Sequence, residues 1–441
     1  MKTKTFQEKV DFYQERFGYQ SAKISSPLPA DTQIIVVIPC FDEPDLVGTL
    51  ESLAQCTATQ TPVEVIVVVN QGVNASSQAI AQNQKTIIQA TEWMSKQTFE
   101  KLSFHLLEAY DLPKKYAGVG LARKIGMDEA LYRFGSINYN GGIVCLDADC
   151  RIAPNYLVAL EQTFAQGAQS ASIFFEHRLD TSPTLNQGIL QYELFLRYYV
   201  AALRFVGYPY AYHTIGSSMA VCAETYAISG GMNRRKAGED FYFLHKVAPL
   251  GKYYEIAQTA VYPSSRTSHR VPFGTGKAQQ KWLDQASEML FTYDPQTFVD
   301  LQVFLNVTRK LFKTDEASLK TIYEDLPASI QAFFAWEELL LQVNTLNKQT
   351  AQLESFLKRW FHWLDGLKVL KYVHFARDEF YPEVSILEAA EKMLNMVKPK
   401  KEIVQDVGVQ SAEGIVEGLL AKYRAIDRAQ QGWVDFMQKF V

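Results

Sequence analysis

An α/β domain followed by an α-helical one is the fold class this sequence predicts, on three observations. Short β-branched runs alternate with helical segments from Ile34 to Tyr262, the pattern of a mostly parallel sheet with flanking helices. From about Lys277 onward, glycines and β-branched runs become scarce and long amphipathic patterns take over. The 441 residues, 47% of them hydrophobic, suffice for two or three domains with a sizeable core. The predicted division is residues 1–30 as a helical extension, 31–277 as the sheet-bearing domain and 278–441 as an α-helical C-terminal domain.

The elements follow in order. Ile34–Ile38 is a buried strand that Pro39 is expected to stop. Asp45–Gln55 reads as a helix with acidic residues at its positive end. Val63–Val69 is the second buried strand, followed by the polar loop Gln71–Ser77 and a helix over about Gln78–Ser95. Leu102–Leu107 is a third strand, and Ala117–Phe134 a helix entered through Gly118 and Gly120. Gly142 opens a short apolar strand that runs into Asp147-Ala-Asp149. A helix from Pro154 carries its proline in the first turn. Ala171–Phe175 and Ser217–Val221 read as strands, Gly230-Gly231 as a turn and Glu239–Val247 as a helix. Tyr253–Ile256 and Ala260–Tyr262 are expected as two short strands. In the C-terminal region Ser329–Val343 and Gln352–Leu370 are the clearest helices, with Pro327, Pro382 and Pro399 as punctuation. Lys398–Glu402 is a short charged linker.

Composition excludes several classes. A net charge of −4 implies no basic footprint, which argues against nucleic acid as the partner. The five cysteines lack C-x-x-C spacing, so they give no zinc signature and suit a reducing compartment. No window holds the ~18 apolar residues that span a bilayer. The expected setting is cytoplasmic, with peripheral contact at the inner membrane face as the variant. That variant rests on the aromatic stretch Tyr192–Tyr212, which reads better as a core helix with one or two snorkelling arginines.

The chemistry centres on Asp147-Ala-Asp149. Alternation along an extended chain would put both carboxylates on one side of a strand's carboxyl end, where open α/β sheets bind ligands. Two close carboxylates raise each other's proton affinity unless a cation accompanies them, and a hard divalent ion bridging to phosphate resolves this. Cys145 shares the face of Asp147, where a buried small hydrophobe is its better reading.

Other segments join this pair in a fixed order. Ile35–Ile38 leads into Pro39-Cys-Phe41-Asp42-Glu43, and Val67–Val69 ends in Asn70. Gly118-Val-Gly-Leu-Ala-Arg123-Lys124 opens a helix, and Gly230-Gly231 precedes Gly238-Glu239-Asp240. This ordered set resembles the family 2 glycosyltransferases, nucleotide-sugar-dependent enzymes of the GT-A fold, over about Ile34–Gly276. The resemblance implies a GT-A domain over 31–277 and a metal-dependent, inverting transfer of a sugar to a hydroxyl acceptor. It implies Mn²⁺ or Mg²⁺ as cofactor, with Asp149 as the direct metal ligand and Asp147 nearer the ribose. Pro39, Phe41 and Glu43 would line the nucleoside, Arg123 would lie near the nucleotide, and Arg266 and Arg270 would close over the diphosphate. His269 is a candidate second metal ligand. Asp240 is the expected general base, with Glu239 holding acceptor hydroxyls or positioning Asp240. Each residue also has a plainer reading: an acidic turn or acidic pair at a helix N-terminus, a solvated arginine, a structural histidine.

Two departures from the family pattern matter. Asn70 stands where an aspartate is usual, so a charge-assisted contact to the base is missing; UDP is the first expectation and GDP the second. Ala278-Gln-Gln-Lys281-Trp282 replaces the Gln-x-x-Arg-Trp of processive members, which argues against a polysaccharide synthase. Alternatives are a sugar- or nucleotide-binding protein of the same fold without catalysis, and a sugar-phosphate nucleotidyltransferase. The latter expects a glycine-rich basic loop after the first strand, and Pro39–Pro44 is not one.

Overall fold

The computed structural model describes residues 4–179, 182–268, 274–284, 289–397 and 412–434. The strands are β1 (Ile34–Cys40), β2 (Val63–Gly72), β3 (Leu102–Leu112), β4 (Gly142–Cys145), β5 (Arg151–Ile152), β6 (Ser170–Phe175), β7 (Met219–Cys222), β8 (Tyr253–Tyr262), β9 (Phe291–Thr292), β10 (Val384–Ser385) and β11 (Gly432–Val434). The helices are α1 (Phe6–Arg16), α2 (Leu46–Ala54), α3 (Ser77–Ser95), α4 (Val119–Ser136), α5 (Tyr156–Ala165), α6 (Pro183–Phe205), α7 (Ala223–Ile228), α8 (Glu239–Val247) and α9 (Thr275–Asp284). They continue as α10 (Pro295–Val307), α11 (Glu316–Glu324), α12 (Ala328–Phe333), α13 (Trp336–Gln349), α14 (Leu353–Trp363), α15 (Gly366–Glu379), α16 (Ile386–Val397) and α17 (Ala412–Arg428).

The chain divides into two compact units. The first comprises Met1–Asn186, Thr214–Asp284 and Asp427–Val434; the second comprises Gln187–His213, Gln285–Ile426 and Asp435–Val441. The class is the expected one, an α/β sheet with flanking helices and an α-helical C-terminal part.

The first unit is built on a nine-stranded sheet in the order β11-β8-β6-β7-β4-β1-β2-β3, with β5 also on β8. β4, β1, β2 and β3 run parallel, so the loops after β1, β2 and β4 open on one sheet edge. β7 runs antiparallel to both β4 and β6. Pro39 does not stop β1, which keeps its register with β2 through Pro39↔Val68 and Cys40↔Val69. Pairing with β4 ends at Val37↔Cys145, after which the Leu146 amide donates to the Val37 carbonyl at 3.1 Å. Pro39 therefore falls on the side of β1 that no longer has a neighbour, where a missing N–H costs nothing. β8 is one continuous strand rather than two.

Helix α4 is buried at every residue from Gly120 to Gly135. Its sheet-facing side depends on Gly126, where a Cβ would strike Val37 and come within 3.0 Å of Val68. Its other side is covered by the N-terminal segment. The Tyr13 hydroxyl donates to Asp128 at 2.6 Å and accepts from Lys124 at 2.7 Å, while the Lys23 and Ile24 amides donate to Glu129 at 2.8 and 2.9 Å. The carboxylates that would be unsuited to a helix facing a core are thereby satisfied.

The second unit has its own apolar core, to which Leu194, Tyr198, Phe298, Phe304, Trp360, Tyr372 and Met393 contribute. The Tyr192–Tyr212 stretch packs into this core, but Arg197 does not snorkel as expected, because Glu193 offers it a buried carboxylate. Arg197 is fully buried beside Glu193, which also accepts two bonds from Arg424 at 2.7 and 2.8 Å. Both clear helical patterns are interrupted. Phe334 and Ala335 separate α12 from α13, and Leu364 and Asp365 separate α14 from α15, where the Asp365 carboxylate caps Lys368 N–H at 2.8 Å. Among the described residues no helix is long and apolar enough to cross a membrane.

Candidate active site

The site is assembled at the carboxyl edge of β1, β2 and β4. After Leu146 the chain turns, with the Cys150 amide donating to the Asp147 carbonyl at 3.1 Å. The two aspartates thus stand on a turn, not on an extended strand, and face different cations. Thr49 of α2 fixes this turn by donating to the Ala148 and Cys150 carbonyls at 2.7 and 2.9 Å. Thr49 was not singled out from sequence; its signal is a polar residue on the buried face of an amphipathic helix.

Arg123 of α4 reaches from below. One guanidinium nitrogen pairs with Asp147 and another with Glu239 of α8, joining the two acidic motifs through one buried cation. The arginine and Glu239 side chains are each 3% exposed, whereas Asp147 is 38% exposed and presents its carboxylate to the opening. The guanidinium lies against Gly216: a Cβ there would sit 2.5 and 2.6 Å from its two terminal nitrogens. Gly238 holds a left-handed φ of 69° at the N-cap of α8, and Asn233 donates to the Glu239 carbonyl at 2.9 Å. Asp240 follows in the first turn, half-buried, accepting from the Phe241 amide at 2.7 Å. Burial pushes its carboxyl above the ordinary aspartate range; Arg123 pulls the other way, and the charge of Asp147 adds to the upward push.

On the opposite side Arg266 pairs with buried Glu43 and lies 3.3 Å from Asp149, whose side chain is 26% exposed. Glu43 sits in the turn after β1 and accepts from the Asp45 amide at 2.9 Å, and its own carbonyl accepts from Thr86 at 2.6 Å. Asp42 in the same turn has φ 50°, a conformation aspartate tolerates better than most residues. Pro39 is buried in β1 and Phe41 is half-buried just beyond it. Asn70 is buried near the end of β2. Its carbonyl accepts from Asn83 at 3.1 Å, and the other end of that carboxamide accepts from the Asp42 amide at 2.9 Å. Asn83 of α3 thus ties the β1 and β2 loops together, a role with no signal in sequence beyond a polar residue on a buried helix face. His269 and Arg270 lie outside the described residues.

Cys145 is 3.6 Å from the Met127 sulfur, and burial pushes its thiol up to about 12 and that of Cys150 well above the usual range. Neither is a thiolate nucleophile at neutral pH. The chemistry available is that of carboxylates set at an opening, each steadied by an arginine. Among the described residues no group of three or more His, Cys, Asp or Glu is arranged to hold a metal by itself. Asp149 and Glu43, converging on one guanidinium, form the oxygen-donor pair best suited to a hard cation that takes its remaining ligands from a phosphate and water.

No family model matches the chain, and no curated protein matches it. Among solved structures the chain is similar to S. aureus TarS 1–349 in complex with UDP-GlcNAc, at 12% identity and TM-score 0.37 over 90% of each chain. It is also similar to the mannosyltransferase PcManGT from Pyrobaculum calidifontis in complex with GDP-Man and Mn²⁺, at 12% identity and TM-score 0.34 over 88% of this chain and 93% of that one. Likeness at this level leaves the functional reading to the site's own geometry.

Proposed function

We propose that the protein is a metal-dependent, inverting glycosyltransferase that moves a sugar from a nucleoside-diphosphate sugar, UDP first and GDP second, to a hydroxyl acceptor. The observation that carries this reading is Arg123, which gathers Asp147 and Glu239 from motifs far apart in sequence and leaves Asp240 beside them. Asp147 and Asp149 would address the donor's ribose and diphosphate side. Asp149 would hold Mn²⁺ or Mg²⁺, which supplies charge neutralisation for the departing nucleoside diphosphate. Arg266 would turn from the carboxylates to the diphosphate oxygens, for which its planar fork is suited.

Transfer itself is a displacement. The acceptor oxygen forms a bond to the anomeric carbon as the bond from that carbon to the diphosphate oxygen breaks. The acceptor proton passes to Asp240. A carboxyl held above its ordinary range is the stronger base for this step. Glu239, committed to Arg123, would position α8 rather than accept a proton.

A thermal-shift panel of UDP and GDP sugars with and without Mn²⁺ tests the reading. A metal-dependent stabilisation by one nucleotide, lost in Asp149→Ala, is expected. No stabilisation by any nucleotide would sink it.

A further inference from the structure

Two loops beside the Glu239–Asp240 motif carry five exposed cations: Lys114 and Lys115 ahead of α4, and Arg234, Arg235 and Lys236 ahead of α8. The loops touch, since a Cβ on Gly118 would come within 3.0 Å of the Lys236 Cα and one on Gly120 would strike the Arg235 carbonyl. None of the five has a carboxylate within ion-pair distance among the described residues, and the two loops bring all five together on one face of the motif. In a chain of net charge −4, such a concentration of positive charge has a cost in mutual repulsion that no ion pair among the described residues offsets.

Their placement is also defined. Arg234 lies over the Tyr116 ring at 4.4 Å, and Arg235 lies over Tyr242 at 3.8 Å, two residues beyond Asp240. Stacking on a ring holds a guanidinium by its face and leaves its N–H edge for a ligand. The positive ends of α4 and α8 point into the same loops. Asn233 connects the two features, accepting from the Arg235 amide at 3.1 Å and donating to the Glu239 carbonyl at 2.9 Å.

We infer that the acceptor is anionic, carrying a phosphate group close to the hydroxyl that receives the sugar, and that Arg234, Arg235 and Lys236 with Lys114 and Lys115 hold that phosphate. This rests on the reading of Asp240 as the acceptor-side base. The five cations draw the acceptor toward a site whose own carboxylates, Asp147 and Asp240, would otherwise repel it. The phosphate also fixes which hydroxyl reaches Asp240. Guanidinium and ammonium groups side by side suit a phosphate, which offers several oxygens at once.

The test uses the full-length protein and the exposed triple variant R234Q/R235Q/K236Q, with glucose, glucose 6-phosphate and inorganic phosphate as probes in calorimetric titrations. Glucose 6-phosphate is expected to bind at least ~10-fold more tightly than glucose, a preference lost in the variant and suppressed by salt. Inorganic phosphate is expected to compete with it. Equal affinity for the two probes, or equal affinity of wild type and variant for the phosphorylated one, would overturn the inference. So would co-sedimentation with phosphatidylglycerol vesicles that needs the same three side chains while soluble phosphates fail to bind, since the patch would then face a lipid surface. Titration with UDP and GDP plus Mn²⁺ separates the two readings. Absence of nucleotide binding sinks the donor site whatever the patch does, and nucleotide binding without phosphate preference sinks only the anionic acceptor.

Discussion

Arg123→Met is the most informative perturbation of this site. Arg123 and Glu239 are each 3% exposed, so the variant leaves a buried carboxylate without its cation. Breaking a pair at that depth costs about 3–5 kcal/mol, much of it the desolvation of the stranded charge. Asp147, 38% exposed, is returned to water and adds little. The double variant R123M/E239Q removes the stranded charge as well, so its cost should fall short of the sum of the single variants by about 1–3 kcal/mol. Urea unfolding at pH 7, followed by circular dichroism, reads both quantities. A loss below about 1 kcal/mol in R123M, or strict additivity in the double variant, would refute the claim that this guanidinium joins the two motifs.

The remaining predictions concern its neighbours. Because the folded state holds the Asp240 proton more tightly than the unfolded chain does, stability falls as pH rises from the ordinary aspartate value of 3.8 through the raised folded value. Asp240→Asn should therefore unfold at higher temperature than wild type at pH 7, keep nucleotide binding and lose transfer; an unchanged melting temperature together with full transfer would remove Asp240 as the base. Arg266→Gln withdraws a competing cation from Glu43 and Asp149. Binding of Mn²⁺ alone, read by electron paramagnetic resonance, should tighten by about two- to fivefold, the equivalent of the partly exposed Arg266–Asp149 pair at roughly 0.5–1 kcal/mol, while UDP·Mn²⁺ binding weakens. Gly216→Ala places a methyl 2.5–2.6 Å from the Arg123 nitrogens and should destabilise by about 1–3 kcal/mol, with a far smaller effect in an R123M background, as thermal unfolding would show.

The strands were legible because β-branched runs such as Ile34–Ile38 and Val63–Val69 have few other places to go than the centre of a parallel sheet. What was not legible depended on neighbours rather than on the local string. Pro39 reads as a stop, yet β4 has already ended beside Val37 and the lost donor is never needed. The breaks at Phe334 and Leu364 fall inside apolar periodicities that continue across them, so only the cap at Asp365 gives one away. The individual acidic motifs could be found by inspection, and their order carried the family resemblance. That Asp147 and Asp149 answer to different arginines could not, because the turn separating them is fixed by Thr49, about a hundred residues upstream. Asn83 escaped notice for the same reason: its two partners belong to other loops.

The pairing of β11 with β8 bears on how the protein is made. Gly432–Val434 lies antiparallel on Tyr253–Glu255, Arg428 donates to the Ala257 carbonyl at 3.0 Å and stacks at 3.8 Å on Phe174, and Gln431 accepts from the Ala257 and Gln258 amides. These partners leave the ribosome long after the strand they cover. Throughout the intervening synthesis the first half of β8, ahead of its pairing with β5, presents an unpaired row of amides and carbonyls, a template on which another nascent chain can add a strand. The closing residues of the sheet thus serve as a late seal, and truncating them exposes an adhesive edge without removing any group from the site.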